Sequence, residues 1–175
     1  MIRRRINKEK DYDEQVLDIA RVTRVVAGGK RMSFRATVAV GKKAEHNIGL
    51  GVAKGKDVAQ AIEKATNKAK KNVTAIVLRG DTIPFEVKAK YKAARIILKP
   101  ARSGRGIVAG GAVRLVLSLA HITNVSAKIL GPSTNPINNA RATILALSKF
   151  KKFSQDNKSE TKPKQNADSS NKTKS

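Results

Sequence analysis

A long stretch of this chain lacks acidic residues altogether. From Val87 to Gln155 there is no Asp or Glu, whereas the same stretch carries thirteen Lys and Arg. A folded segment with charges of one sign repels itself, and a polyanion that neutralises the charge removes that penalty. Over all 175 residues, 37 basic against 13 acidic side chains leave a formal net charge of +24. The charge pattern therefore predicts a nucleic-acid partner.

Composition argues against a membrane partner and against thiol chemistry. A membrane-surface protein carries a basic amphipathic helix with Trp or Phe on its apolar face, whereas this chain has no Trp and only scattered Phe. It also has no Cys, which agrees with a reducing compartment. No apolar run reaches transmembrane length, and the basic residues 3–5 are not followed by the apolar segment of a signal peptide. We therefore expect a cytoplasmic protein without membrane partner, cofactor or metal.

Alternating apolar residues predict three strands in the first half of the chain. The first begins at Leu17, and a flexible basic loop at residues 28–31 is expected to join it to the second, from Met32 to Val40. In the second strand the even-numbered residues are expected to face the core and the odd-numbered residues the solvent. The third strand, residues 48–53, alternates apolar residues with glycine or alanine. Its nearly bare face predicts close packing or an exposed backbone.

Two helices are predicted beside these strands. Residues 9–18 hold five of the ten acids that precede the last 25 residues, and they are expected to form a short acidic helix or turn. Asp57 is placed to cap a second helix, which has apolar residues at spacings of three and four and ends near Asn72. Lysines on its opposite side, including Lys64 and Lys68, form either a solvated face or an RNA-binding stripe. An order of helix, three strands and helix is that of a double-stranded RNA-binding domain.

The second half of the chain, from residue 79, predicts a β-α-β-α domain. Two extended segments, 85–91 and 95–98, come first. Apolar residues between Ile107 and Ala120 fit a helix buried on one face, and residues 125–130 fit a strand. A last amphipathic helix follows, so this half also combines strands with helices.

The last helix and the segment beyond it differ sharply in composition. Asn135 and Pro136 supply the cap and the first turn of the helix. After Phe153 almost nothing is apolar, and such a composition cannot offset the entropy of ordering. The expected organisation is an N-terminal extension, two domains and a disordered tail, at residues 1–14, 15–78, 79–150 and 151–175.

A glycine-rich segment between two arginines is the best candidate for an anion site. Gly104 and Gly106 allow the backbone to approach a phosphate, and a following helix would direct its N-terminal amides at the anion. The segment matches neither the Walker loop nor the dinucleotide fingerprint. A glycine-rich turn that serves only tight packing is the alternative.

Enzyme chemistry is difficult to assemble from this sequence. General acid–base catalysis and magnesium binding need carboxylates, and the acid-free stretch supplies none. His46 and His121 fall in different predicted domains, and two histidines without cysteine do not make a zinc site. We therefore expect a binding protein rather than an enzyme.

Two blocks of sequence resemble one known family. In the first half they include Val25, Gly28, Gly29, Lys30, Phe34, Ala36, Val40, Gly41, Gly49, Gly51, Lys54 and the 58–72 helix. In the second half they include Pro100, Ala101, Gly104, Gly106, Ile107, Ala109, Gly110, Gly111, Ala112, Arg114, Ser133, Thr134, Asn135, Pro136 and Ile137. On these residues, which span about 15–150, the chain resembles the bacterial small-subunit ribosomal protein S5 family, universal name uS5.

The resemblance implies an α+β fold with two domains. The first is a double-stranded-RNA-binding-like domain, α-β-β-β-α, and the second is a two-layer α/β domain of the ribosomal protein S5 domain 2-like type. It also implies binding to small-subunit rRNA, contact with ribosomal proteins four and eight, and a position near the decoding region and the path by which mRNA enters. The loop 22–31 corresponds to an rRNA contact of the family. Residues 102–106 fall where the family meets protein four, so a phosphate nest and a protein interface both remain open there.

The residues expected to contact RNA are basic, hydroxyl-bearing, amide or glycine residues on these segments. They are Arg21, Thr23, Arg24, Gly28, Gly29, Lys30, Arg31, Arg35, Lys42, Lys43, Lys54, Lys56, Lys64, Lys68, Arg114, Lys128, Ser133, Thr134 and Asn135. The phosphate nest or protein interface comprises Arg102, Ser103, Gly104, Arg105 and Gly106.

The expected function is that of a structural rRNA-binding protein that contributes to ribosome assembly and translational accuracy, without forming a homo-oligomer. A free double-stranded RNA chaperone or regulator is the alternative among binding proteins. An enzyme is the alternative of another class, because the implied second domain shares its fold with phosphate-handling proteins such as small-molecule kinases.

Overall fold

Two four-stranded sheets and three helices account for most of residues 12–42 and 46–160, the part of the chain that the computed structural model describes. The first sheet has the antiparallel order β1-β2-β3-β4, and the second has the order β5-β6-β8-β7 with β7 and β8 parallel. The first half contains β1 (Asp13–Val26), β2 (Gly29–Lys42), β3 (Asn47–Gly55), α1 (Val58–Lys71) and β4 (Val73–Ala75). The second half contains β5 (Val87–Tyr91), β6 (Ala94–Pro100), β7 (Ile107–Val108), α2 (Gly111–Leu119), β8 (Val125–Ile129) and α3 (Pro136–Glu160).

The expected mixture of strands and helices is confirmed, but within the described residues no helix precedes β1. Residues 13–18, which were expected to be helix or turn, form the start of β1 and pair with the end of β2, from Asp13 opposite Gly41 onward. The pairing is long-range, so the local acidic pattern carried no sign of it. The described residues of this half therefore run β-β-β-α-β, and residues 9–11 lie outside them.

A tight hairpin replaces the flexible basic loop that the sequence predicted. Lys30 and Arg31 belong to β2, where they pair with Val25 and Arg24 of β1, and only residues 27–28 form the turn. Gly29, which begins β2, has a φ of 134°, a conformation that L side chains rarely adopt. This glycine lets the two long strands reverse direction over two residues.

Helix α1 packs directly on the glycine-bearing face of β3, as the sequence predicted. A Cβ at Gly51 would collide with the carbonyl oxygen of Ala65, and a Cβ at Gly55 would lie 2.6 Å from the backbone nitrogen of Ala61. The helix contributes Ala61, Ala65 and Ala69 to this contact, all fully buried. Small residues on both sides thus allow a backbone-to-backbone approach that any larger side chain would prevent.

The opposite face of the first sheet is buried too, which corrects the prediction that odd-numbered residues of β2 face solvent. Thr37 and Ala39 have no exposed surface, because α2 and α3 pack between the two sheets and cover this face. At Gly41 the strand lies against the carbonyl end of Leu119, the last residue of α2. The layers therefore follow the order α1, first sheet, α2 with α3, second sheet.

In the second half, helix α2 begins later than the sequence predicted, whereas α3 begins where it was predicted. Ile107 belongs to β7 rather than to the helix, because it pairs in parallel with Val125 of β8. Helix α3 begins at Pro136 as predicted, and the Asn135 side-chain oxygen accepts a hydrogen bond from the Ile137 N–H over 3.0 Å.

Helix α3 continues to Glu160, through residues 151–160 where the sequence predicted the start of a disordered tail. Extending an existing helix needs no new nucleation, so a polar segment can remain helical beyond the apolar part. Residues 161–175 lie outside the described part. Within that part, none of the helices has the combined length and apolar content that a membrane span requires.

Candidate nucleic-acid interface

The outer half of the β1–β2 hairpin projects beyond the rest of the first sheet. Strand β3 pairs with β2 only from Phe34 onward, so residues 22–33 form a two-stranded ribbon with no third strand beside it. Five residues of β2 in this ribbon span roughly 17 Å at the usual rise of an antiparallel strand. The ribbon therefore forms an arm on which side chains of both faces are accessible.

One face of the arm holds a basic pocket of about 320 Å³, which we call the arm pocket. Its lining consists of Val22, Thr23, Arg24, Arg31, Ser33 and Lys54. The side chains of three cations and the hydroxyl of Ser33 meet here, and the lining includes no carboxylate from the described residues. Guanidinium and ammonium groups bind phosphate oxygens, and hydroxyls donate to phosphate or to a ribose oxygen. The pocket is thus chemically suited to a sugar–phosphate backbone.

Two of the pocket's cations stand directly opposite each other. Arg24 of β1 and Arg31 of β2 are partners in the ladder, so their side chains leave the same face of the arm. Like charges in this arrangement destabilise a strand pair. A bound anion between the two guanidinium groups would turn the repulsion into two attractions.

Among the described residues, the ion pair that compensates charge on this face lies at its base. Arg35 lies 3.7 Å from the carboxylate of Asp18, and both side chains are half-buried. Arg35 pairs across the ladder with Lys54, which lines the arm pocket. Arg35 therefore forms an ion pair within the protein, whereas Arg24, Arg31 and Lys54 surround the open pocket.

The other face of the arm carries a second, smaller set of the predicted residues. Arg21 contacts the sulfur of Met32 there, and Lys30 pairs with Val25, whose side chain is 74% exposed. At the tip, a Cβ on Gly28 would meet nothing within 4 Å. The tip backbone is thus free to approach a partner closely.

Helix α1 presents its predicted cations in a different direction. Lys64 and Lys68 are exposed on the outer side of α1, which covers the sheet face opposite the arm pocket. Lys56 is exposed just before α1, and Lys42 is half-buried at the end of β2. Lys43 lies outside the described residues. The structure therefore does not bring these lysines together with the arm pocket.

The segment from Arg102 to Gly106 is an exposed turn between β6 and β7, with Ser103 at its tip. Its conformation requires glycine, because φ is 84° at Gly104 and 71° at Gly106. The Gly106 N–H already donates to the Asn124 side chain over 3.1 Å, so this amide is not available to an anion. Strand β7 separates the turn from α2, so the expected delivery of helix N-terminal amides to this turn is wrong. Arg102 and Arg105 remain exposed on it.

Three more of the predicted residues have structural partners. The Ser133 carbonyl accepts a hydrogen bond from the Asn139 side chain over 3.0 Å, and Asn135 caps α3, with the exposed Thr134 between them. Arg114, exposed on α2, donates to the Ile107 carbonyl over 3.1 Å. These contacts explain part of the sequence pattern by folding alone.

Sequence reasoning missed a cationic surface on the second sheet, which we call the basic sheet face. Helices α2 and α3 pack on the side of Ile96 and Leu98, and the opposite side carries exposed cations. They are Lys88, Lys90, Arg95, Lys99 and Lys128. Only Lys128 was predicted, although the alternation of lysine with buried residues along β5 was a signal for the others.

A cavity between the two halves also escaped prediction, because its two histidines are 75 positions apart in sequence. The cavity measures about 650 Å³ and is lined by His46, Ile107, Ser118, His121, Ile122 and Thr123. His46 Nδ1 donates to the Ala120 carbonyl over 3.4 Å, and His121 Nε2 lies 3.3 Å from the Asp13 carboxylate. Both histidines tie the first sheet to the end of α2.

Neither this cavity nor any other group in the described ranges assembles three or more His, Asp or Glu side chains around a metal position. The arrangement of charges is instead that of an anion-binding surface. It combines a projecting arm with a second cationic face on another layer.

Known proteins match both halves of the chain. A family model described as the N-terminal domain of ribosomal protein S5 matches residues 12–77, and the corresponding C-terminal domain model matches residues 89–160. The small ribosomal subunit protein uS5c of Cyanophora paradoxa is 47% identical over 150 residues, covering 85% of this chain and 88% of its own length. The protein uS5c of Rhodomonas salina is 46% identical over 149 residues, covering 85% and 88%. The protein uS5 of Acaryochloris marina is 47% identical over 152 residues, covering 85% of each chain.

Proposed function

The chain belongs to the ribosomal protein S5 family, and from this membership we propose that it is a component of the small ribosomal subunit that binds small-subunit rRNA. The family is structural, and the chain is not an enzyme. The observation that carries the proposal is the opposition of Arg24 and Arg31 in the arm pocket. This pair destabilises the free protein and becomes favourable when a phosphate lies between the two groups.

Recognition by the arm depends on the shape of RNA rather than on its sequence. An RNA duplex hides its base edges in a deep groove and displays phosphates and 2′-hydroxyls across a shallow one. Guanidinium groups of Arg24 and Arg31 bind phosphate oxygens, and the hydroxyl of Ser33 on the same face reaches sugar or phosphate. Gly28 lets the tip of the arm approach the RNA backbone.

The finer placement rests on the family resemblance. We place the protein beside ribosomal proteins four and eight, near the decoding region and the path by which mRNA enters, where it contributes to assembly and translational accuracy. The exposed turn 102–106 is then a surface for protein four, because one of its amides is already bonded within the chain and no helix terminus supports it. Relatives include both chloroplast-type uS5c proteins and a cyanobacterial uS5, so the proposed location is the ribosome, whether bacterial or organellar.

Sedimentation through a sucrose gradient tests this function. The tagged chain, expressed in its own source, is followed in lysates at moderate and at high salt. We expect one copy per small subunit, retained at high salt because many phosphate contacts and protein contacts act together. Migration at the top of the gradient at both salt concentrations would contradict the proposal and favour a free double-stranded RNA chaperone.

A further inference from the structure

We propose that the basic sheet face is a second surface for RNA phosphates, separate from the arm pocket. The inference rests on the proposed rRNA-binding function and adds a contact on the second half of the chain. The two surfaces belong to different layers of the molecule. The protein would therefore contact one folded RNA, or two neighbouring RNA helices, at two separate places.

The cations of this face form a regular grid. Across the sheet, Lys88 of β5, Ile97 of β6 and Lys128 of β8 are successive ladder partners, and Lys90 pairs with Arg95. Strands lie about 4.8 Å apart, so the backbones at Lys88 and Lys128 are separated by roughly 10 Å. Alternate residues of one strand are roughly 7 Å apart. Repeated positive charges at such intervals suit a repeating chain of phosphates.

Most of the grid has no acidic partner within the part of the chain that the structure describes. Lys99 forms an ion pair of 3.1 Å with Glu86, which lies just before β5. Among the described residues, no carboxylate forms an ion pair with Lys88, Lys90, Arg95 or Lys128. These four cations belong to the stretch of sequence without Asp or Glu. The face is therefore repulsive to itself unless an external anion binds.

The centre of the basic sheet face exposes little apolar surface to a partner. Ile97 points to the side of the sheet that faces away from α2 and α3, yet it is only 9% exposed. Its ladder neighbours Lys88 and Lys128 are both exposed, and lysine stems characteristically cover apolar surface while the ammonium group remains in water. A protein partner would find little apolar area at the centre, where interface hot spots usually lie.

The side chains of the face also favour the RNA backbone over exposed bases. The five cations are accompanied by Ile97, Ser126 and Val108, so the face offers no aromatic ring for base stacking. Single-stranded nucleic acid is normally held by aromatic platforms of that kind. A flat cationic sheet without them suits phosphates on the surface of folded RNA.

The test is the salt dependence of binding to protein-free small-subunit rRNA, measured with the full chain. The variant Lys88→Gln/Lys128→Gln removes two charges from the face. The control Lys71→Gln/Arg79→Gln removes two exposed charges, one at the end of α1 and one after β4, that belong neither to the arm pocket nor to the basic sheet face. We expect the slope of log K against log salt to become shallower by about 1.4 to 1.8 in the first variant, and to stay unchanged in the control.

A charge-conserving variant and an arm variant keep the outcome unambiguous. Lys88→Arg/Lys128→Arg should bind with the parent slope, and thermal unfolding should show all variants folded. If Arg24→Gln/Arg31→Gln lowers the slope but Lys88→Gln/Lys128→Gln does not, the sheet-face inference is overturned while the proposed function stands. If neither variant changes the slope, the sheet-face inference and the proposed rRNA-binding function are both contradicted. Normal rRNA binding with loss of incorporation into the small subunit would assign the face to an acidic protein and overturn the inference.

Discussion

The inner and outer halves of the β1–β2 hairpin are formed by the same two strands, yet their side chains differ in burial and in charge. In the inner half, Ala36, Val38, Ala39 and Gly41 are buried between α1 on one side and α2 with α3 on the other. In the outer half, residues 22–33 are largely exposed and rich in cations. One ladder joins the two halves, and its register shifts once, between Val16 and Asp18 in the inner half.

This difference separates stability from function along one element. The inner half uses small residues because backbones pass close to it, and its sequence is explained by packing alone. The outer half includes an opposed arginine pair that weakens the ladder, so packing does not explain its sequence. Substitutions in the two halves should therefore have opposite consequences for folding and for RNA binding.

The largest effect is expected where the inner half meets α2. Replacement of Gly41 by Val should destabilise the fold by about 3 kcal/mol or more, because the new Cβ would lie 2.8 Å from the Leu119 carbonyl carbon. The backbone of Leu119 cannot move aside as a flexible side chain could. Thermal or urea unfolding of the full chain measures this loss. The control is Gly28→Ala at the tip, where open space surrounds the new methyl and the change should stay within about 0.5 kcal/mol. Equal losses in the two variants would abolish the distinction between the halves.

A smaller effect of opposite sign is expected in the outer half. Arg31→Gln removes the repulsion with Arg24 and should stabilise the free protein by a few tenths of a kcal/mol at low salt. The gain should shrink at 1 M salt, where the screening length falls to about 3 Å. Urea unfolding at the two salt concentrations measures both effects. A clear loss of stability at low salt would indicate that Arg31 supports the fold, and would contradict the separation of stability and function between the two halves of the hairpin.

Much of the fold follows from local patterns in the sequence. Apolar spacing predicted α1, the Asn135–Pro136 pair predicted the start of α3, and the alternation of β3 predicted close packing on its glycine face. These features are local, because a helix cap or a bare strand face depends on residues a few positions apart.

Features that depend on distant partners escaped prediction. Residues 13–18 look like a helix by composition but are strand because they meet the end of β2. Ile107 is strand because β8 lies beside it, and Ala39 is buried because a helix from the other half covers it. Each outcome is decided by an element far away in sequence.

The candidate site shows the same division. Basic residues of the arm were found from charge and resemblance, yet the opposition of Arg24 and Arg31 requires the register of the hairpin. Lys88 and Lys90 alternate with buried residues, so this part of the basic sheet face could have been predicted by assigning alternate residues of β5 to opposite faces. The cavity shared by His46 and His121 had no local signal.

The most direct test of the central claim is the salt dependence of rRNA binding by Arg24→Gln/Arg31→Gln, compared with the parent chain and with Lys71→Gln/Arg79→Gln. If the arm pocket binds phosphates, the slope of log K against log salt should become shallower by about 1.4 to 1.8 in the arm variant, while the control keeps the parent slope. A parent-like slope in the arm variant, or an equal change in the control, would contradict the claim that the outer half of the hairpin is the RNA-binding arm.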